Sequence, residues 1–476
     1  MYKCEKRGHL RVRSASEWHS SRLGIGFEKL DRAVFEPERA YDKLEKVGIK
    51  WVRIQSGWAR TEKEPGVYDF AWLDDIVDNL IARGMIPWMC LCYGNGLYDD
   101  FAKEVFGAAG CPPVHTVEQK AAWCRYIAAV AEHFRGRIVH YEIWNEPDGS
   151  HAWKHGVNAK EYGEFAIATA KVLRETDPGC YIIGGSTFTS PIGFVQEMLS
   201  TGLGAYLDGY TFHEYTYTEE NVSQTVKALR GMFALHGCPH IEIIQGESGA
   251  QSRPNGHGAM AEGAWTPRIQ SKQLLRHLTI DLLNNVKFTS FFTCVDMVEA
   301  WFGKVGDPAS ILDYGYFGIL GADFNERGIA TGEYTPKPSY YALQNLAALL
   351  GGELTTEDLP LVFHRENARH LGKTMTMAGY EITYGGFRLD NGAKALAYWY
   401  PANLMTTEFE GAVTVEFAMQ GEVHLVDPMD GSVYQIDGIE TNEHGVTWIH
   451  NLPIRDYPLF LVAGELDMVP CEKSKN

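Results

Sequence analysis

The sequence predicts an α/β fold, a (β/α)8 barrel followed by a C-terminal antiparallel β-sandwich. Three observations predict it. From about residue 23 to residue 352, short β-rich apolar runs alternate with longer stretches of helical period, the pattern of repeated strand–helix units around a parallel sheet. There are eight such runs, the number that closes a barrel. After Gly352 the period drops to two, with Asp-Asn-Gly, Asp-Gly and Asn-Leu-Pro turn signals between short alternating segments, as in a sandwich.

The strand candidates are LGIGFE from Leu23, IKWVRIQ from Ile49, MIPWMCLCY from Met85, IVHYEIW from Ile138, CYIIGGS from Cys180, DGYTFHEY from Asp208, HIEIIQGE from His240 and FTSFFTCV from Phe288. Between them, Leu73, Ile76, Val77 and Leu80 form one apolar helix face, closed by Gly84. Thr116 and Gln119 make a capping box ahead of Trp123, Ile127, Val130 and Phe134, with Gly136 as the stop. Pro338 opens a last helix, which Gly351 and Gly352 end. The expected division is a barrel over 15–352 and a sandwich over 353–476, the latter joined by a strand from 1–14. Spacing alone leaves open a doubly wound open sheet.

The length of 476 residues suits about three ordinary domains of ~150 residues, or one barrel with a smaller companion. Forty-three Lys and Arg stand against 61 Asp and Glu, a net charge of −18 that repels phosphate backbones and anionic membrane surfaces. Nucleic acid and membrane are therefore not expected as partners, and oligomeric state is not legible. Nine cysteines, an odd number without CxxC spacing, argue against a disulfide framework and against zinc. With no apolar stretch after the charged MYKCEKRGHLRVRS start, a cytoplasmic location is expected.

Reactive groups of such barrels stand at the C-terminal ends of the strands. Here those ends are rich in carboxylates. The fourth run ends in Trp144-Asn145-Glu146-Pro147, the sixth in His213-Glu214-Tyr215 and the seventh in Gln245-Gly246-Glu247-Ser248. Arg53 and Gln55 close the second, Tyr93 and Asn95 follow the third, and Asp296, Glu299 and Trp301 follow the eighth. Glu146 and Glu247 lie three strand–helix units apart and face each other across a closed mouth. Glycoside hydrolysis needs such a pair: one carboxylic acid to protonate the departing oxygen and one carboxylate to capture the oxocarbenium-like carbon, about 5 to 5.5 Å apart when configuration is retained.

YEIWNEP followed by IIQGESG resembles the catalytic signature of the clan A glycoside hydrolases, retaining glycosidases on TIM barrels. The resemblance spans most of the first 350 residues, including GVYDFAWLDDIVD, IARGMIP and PKPSYYAL, and in shape family 39 is the nearest. It implies Glu146 as acid/base, Glu247 as nucleophile and Asn145 as the residue bonding the sugar 2-hydroxyl. It also implies a Tyr215 hydrogen bond to Glu247, His213 in the wall around the acid/base, and Arg53 orienting the nucleophile. To act as an acid, Glu146 is expected to have its pKa raised by burial and by the charge of Glu247.

Sugar rings stack on indoles, so Trp58, Trp153, Trp265 and Trp301 are candidate platforms, Trp301 first among them. Asp296 and Glu299 are either grips for hydroxyl groups or plain loop charges. Glu142 and Glu242 are expected to be structural and deeper in the barrel, and Glu62 and Glu64 solvated loop charges. No His-x-His ends a strand and no phosphate-binding glycine turn follows one, so neither metal nor cofactor is expected. The resulting expectation is a retaining hydrolase of a carbohydrate substrate, removing a terminal β-linked sugar in the manner of a β-xylosidase or β-glucosidase. The alternatives are an endo-acting β-glycanase and, from another class, a non-catalytic carbohydrate-binding barrel.

Overall fold

Eight parallel strands close into a barrel: Leu23–Gly26, Trp51–Gln55, Ile86–Leu91, His140–Ile143, Tyr181–Thr187, Gly209–His213, Glu242–Ser248 and Thr289–Phe291. Closure comes from the eighth, which pairs in parallel with the seventh on one side and with the first on the other, Ser290 opposite Gly24. That pairing excludes the open doubly wound sheet. The computed structural model describes residues 4–103, 109–301, 311–370, 373–374, 382–419, 421–437 and 439–471, without the side chains of 300–301, 365–370 and 373–374.

The helices outside the barrel start and stop where their chemistry dictates. Thr116 Oγ1 accepts from the Gln119 N–H at 3.0 Å, and Gln119 Oε1 accepts in return from the Thr116 N–H at 3.2 Å, so helix Val117–His133 begins with its orphan donors satisfied. Helix Ala71–Ala82 buries Leu73, Ile76, Val77 and Leu80 along one stripe. Helix Pro267–Leu283 departs from that pattern, because polar residues on it are buried too. It is sandwiched between barrel and C-terminal sheets, and its buried charges are paired: Lys272 with Asp456 at 2.9 Å, and Arg276 with Glu219 at 2.9 Å and Glu220 at 2.7 Å. Arg276 also donates to the carbonyl of Ala402 at 2.8 Å, tying the sandwich to the barrel wall.

After the eighth strand two hairpins intervene, Met297–Trp301 with Ile311–Gly315 and Leu320–Phe324 with Ala330–Pro336, before helix Pro338–Leu350. The C-terminal region forms an eight-stranded and a five-stranded antiparallel sheet. Strand Cys4–Leu10 lies in the larger sheet between Ser432–Ile436 and Met468–Pro470. Among the described residues no helix is long and apolar enough to cross a membrane.

Candidate active site

The site is built upward from a buried ion pair inside the barrel. Arg53, on the second strand and fully buried, donates from Nε and Nη2 to the two oxygens of Glu142 on the fourth strand, each at 2.8 Å. Glu142 also accepts from Trp88 Nε1 at 2.9 Å and Ser186 Oγ at 2.8 Å. Burial opposes its charge, yet Arg53 and the other donors outweigh that and hold the carboxyl well below the usual range. This is the structural role expected for Glu142. Glu242, in contrast, is not deep: it begins the seventh strand at the opposite end of the barrel, about half exposed, paired with Lys287 at 2.5 Å.

One edge of the Arg53 fork remains, and it faces Glu247. Nη1 donates to Glu247 Oε2 at 2.7 Å, while the Tyr215 hydroxyl donates to Oε1 at 2.6 Å. Burial, with the charges of Glu247 and Glu146, pushes the Tyr215 phenol well above its ordinary value, so it keeps its proton and remains a donor. The register against the sixth strand shifts between Gln245 and Glu247, and this local bulge turns the Glu247 side chain into the mouth. Gly246 sits in that bulge against His213, where a Cβ would meet the imidazole Nε2 at 3.1 Å.

Glu146 lies on a tight turn just past the fourth strand. Trp144 and Glu146 both have positive φ, 68° and 51°, a cost that persists at functional sites when surroundings over-determine the backbone. Here the Glu146 N–H is held by the Ser186 carbonyl at 2.8 Å and the Trp144 indole by the Ala152 carbonyl at 2.9 Å. The carboxylate is clamped between two imidazoles. His213 Nδ1 lies 3.0 Å from Oε1, and His151 Nε2 lies 2.6 Å from Oε2.

This clamp corrects the expectation of a raised Glu146 pKa. Burial pushes the carboxyl up, but the hydrogen bonds from His151 and His213 outweigh it and hold Glu146 at about 2. Burial pulls His213 down, yet the negative charge of Glu247, the nearby Glu142 carboxylate and its bond to Glu146 carry it up to about 9. The Glu146 bond also raises His151. These directions favour the shared protons on the imidazole nitrogens over the Glu146 carboxylate.

One carboxylate oxygen each of Glu146 and Glu247 and one ring nitrogen of His213 lie within 4.8 Å of one another. That separation fits the retaining spacing of about 5 to 5.5 Å and leaves no room for the water that inverting enzymes hold between carboxylates about 6.5 to 9.5 Å apart. Asn145 Oδ1 accepts from Arg53 Nη2 at 2.9 Å, which fixes the orientation of the amide. The structure thus brings together Arg53, Asn145, Glu146, His213, Tyr215 and Glu247.

The aromatic platforms are a correction. Trp58, Trp153 and Trp265 are fully buried, packed in the core instead of lining the mouth. Trp58 stacks on Tyr126 with centroids 5.5 Å apart, and Trp153 packs edge-on against Tyr162 at 5.8 Å. Trp301 ends a hairpin strand, and its side chain lies outside the described residues. Asp296 is buried and bound by Lys337 Nζ at 2.6 Å and the Gly318 N–H at 3.0 Å, so it is structural, and Glu299 pairs with Lys29. Glu62 is not solvated: it is buried and accepts from the Tyr98 hydroxyl, the Trp58 indole and the Gly66 N–H, whereas Glu64 is exposed.

Two residues of the site went unnoticed in the sequence. His151 carries no motif signal five residues beyond Glu146. Glu28 does: it follows the first barrel strand, the position that singled out the others. It accepts from Thr293 Oγ1 at 3.0 Å and lies 3.4 Å from Arg53 Nη1. Burial lifts its carboxyl, Arg53 draws it back, and the charge of Glu247 lifts it again, to about 7.

Fold and site together resemble one class, the clan A retaining glycoside hydrolases. Within that class, residues 31–219 match the model of Glycosyl hydrolases family 39. A family 39 glycoside hydrolase from the gut symbiont Bacteroides cellulosilyticus WH2 superposes with a TM-score of 0.64 at 14% identity, over 96% of this chain and 83% of that one. A monomeric β-xylosidase from Caulobacter crescentus CB15 gives 0.60 at 17% identity, over 95% and 97%. A family 30 endoxylanase from Clostridium papyrosolvens C71 gives 0.55 at 12% identity, over 95% and 99%. At such identities the likeness is one of fold. No curated protein matches the sequence.

Proposed function

We propose that the protein removes a terminal β-linked sugar, of β-xylosidase or β-glucosidase type, from oligosaccharides or small glycosides by double displacement. The observation that carries this is the Glu146–Glu247 pair within 4.8 Å at the barrel mouth, one carboxylate gripped by Arg53 and Tyr215 and the other by two imidazoles. Glu247 attacks the anomeric carbon, and the bond to the departing oxygen breaks as Glu146 delivers a proton to it. In the second half-reaction Glu146 takes a proton from water, whose oxygen displaces Glu247 from the sugar. Asn145 offers its amide to the 2-hydroxyl.

The enclosure of the pair supports exo-action, since the two carboxylate side chains keep only 11% and 12% exposure. Buried free thiols at Cys90, Cys92, Cys111, Cys180, Cys238 and Cys294 support a reducing, cytoplasmic setting, where imported oligosaccharides and small glycosides are at hand. The fold shared with a β-xylosidase makes xylosides the first substrates to try.

A panel of 4-nitrophenyl glycosides tests the proposal, with Glu247→Ala assayed in added azide. The expected result is turnover of one β-glycoside, its loss in Glu247→Ala, and a glycosyl azide of inverted configuration from that variant. Near-full turnover by Glu247→Ala would remove the nucleophile assignment. Cleavage of internal bonds in xylan without turnover of any aryl glycoside would replace exo-action by endo-action.

A further inference from the structure

We infer that His151 is a positioning residue that stores the proton Glu146 delivers to the leaving oxygen, so that acid catalysis is the work of a Glu146–His151 pair. The inference rests on Glu146 as the acid/base and adds to it where the proton resides. Geometry carries it. His151 Nε2 stands 2.6 Å from Glu146 Oε2, the oxygen that His213 does not occupy. The imidazole has a built seat: Gly149 lies beneath it, where a Cβ would fall 2.3 Å from its Cε1, and Phe188 meets it edge-on at 5.2 Å. Its backbone carbonyl is packed over Gly110, where a Cβ would come within 2.4 Å.

The charged groups acting on His151 are Glu146, Asp148 and, farther off, Glu247, all of which favour the imidazolium, while burial opposes it. Asp148 is itself held by the N–H groups of Phe188 and Thr189 at 2.8 and 3.2 Å, on the loop that carries the Phe188 ring. His213 is on the far side of Glu146, bound to the other oxygen and facing Glu142 and Glu247 at 3.8 Å each. It is fully buried, whereas the His151 side chain is 55% exposed. Of the two imidazoles, His151 is therefore the one that can exchange its proton with solvent between turnovers.

The step balances as a proton relay. The N–H bond of the His151 imidazolium breaks, its electron pair stays on Nε2, and the proton passes to Glu146 Oε2. Glu146 gives that proton to the glycosidic oxygen, which keeps the electron pair of the breaking C–O bond. When Glu146 later takes a proton from the attacking water, it returns one to His151 Nε2, and the enzyme is restored.

The sign of the pH effect distinguishes this relay from a merely supporting imidazole. With His151 present, the last proton of the pair is lost from an imidazolium raised above its ordinary value. With His151→Gln, His213 is still sealed from solvent, so the proton that exchanges with water must sit on the Glu146 carboxyl, and the basic limb of kcat/KM moves to lower pH. If His151 only supplied positive charge beside an acid, its removal would raise the Glu146 carboxyl and the limb would move up.

The test uses the methyl and 2,4-dinitrophenyl β-glycosides of the sugar that the panel selects, starting with xylose. Expected for His151→Gln are a basic limb at lower pH, a fall in kcat/KM above neutral pH at least about tenfold greater for the methyl than for the dinitrophenyl glycoside, and recovery of the limb with added imidazole. Gly149→Ala, which crowds the ring off its seat, should shift the limb in the same direction. A limb that stays in place or moves up in both variants overturns the inference. Glu146→Gln separates the two levels. Retained hydrolysis of the methyl glycoside by Glu146→Gln removes the acid/base assignment itself. Loss of that hydrolysis, with an unshifted limb in His151→Gln, removes only the relay.

Discussion

Arg53 Nη1 donates to Glu247 Oε2 at 2.7 Å while the other two edges of the same guanidinium are locked on Glu142. A single planar group thus sets the position of the attacking carboxylate relative to the barrel interior. Lysine is a point charge and cannot serve both carboxylates in those directions. Arg53→Lys is expected to lower kcat/KM about 100-fold or more, the size of losing one preorganised partner of reacting charge. Steady-state kinetics alongside circular dichroism checks it, and near-wild-type kcat/KM would show that the fork does not govern Glu247.

Glu142 is the half of that fork whose loss is expected to appear in the fold. Glu142→Gln leaves Arg53 buried with its charge less than fully met, and breaking a buried pair from one side costs about 3 to 5 kcal/mol. Urea unfolding should show a lower midpoint with little change in slope, the signature of a stability change rather than a change in surface exposed. A midpoint within error of wild type would mean that Trp88, Ser186 and the neutral amide suffice.

Tyr215→Phe removes only a hydroxyl. The ring stays packed against Phe292 and Phe317, with centroids 6.4 and 6.0 Å away, so stability should change little. The lost bond is one to a charged acceptor, worth about 1.5 to 3 kcal/mol, which predicts a fall in kcat/KM of about 13- to 160-fold. A variant with unaltered kinetics would show that Arg53 alone orients Glu247.

The barrel was legible because its strands are buried on both faces and so read as short apolar β-rich runs, set apart by helices with their own caps. Closure was not contained in the spacing, which an open sheet also satisfies; it is the pairing of Thr289–Phe291 with Leu23–Gly26 that makes it. Strand ends pointed to Arg53, Glu146, His213, Tyr215 and Glu247 because barrel chemistry collects there. His151 sits in a turn that periodicity does not reach, and without it the direction of the Glu146 shift comes out wrong. Indoles are ambiguous for a different reason: the apolar face that stacks on a sugar packs equally well on Tyr126 or Tyr162, and composition does not separate the two uses.

His213 should make the fold sensitive to base. Its folded pKa of about 9 lies above the ~6.5 of an unfolded histidine, so its stabilising contribution is complete below about 6.5 and is lost as pH rises through about 9. The loss amounts to about 3 kcal/mol at most, shared with the carboxylates that face it. Wild-type urea midpoints should fall across that window more steeply than those of His213→Gln. Parallel curves for the two proteins would mean that the imidazole is not charged in the folded state.

Trp58 offers the sharpest contrast between a sugar platform and a core residue. Its indole is fully buried, stacked on Tyr126 and Tyr98 at 5.5 Å each and edge-on to Trp123 at 5.4 Å, with its N–H given to buried Glu62. Trp58→Ala leaves a cavity and strands an acceptor of Glu62, which should cost about 3 to 5 kcal/mol of stability. At temperatures where the variant remains folded, KM for the preferred glycoside should stay within about threefold of wild type, since removing a ring on which the sugar stacks would weaken binding by about 1 kcal/mol or more. The opposite pattern, a KM raised more than about tenfold with an unchanged urea midpoint, would return Trp58 to the substrate.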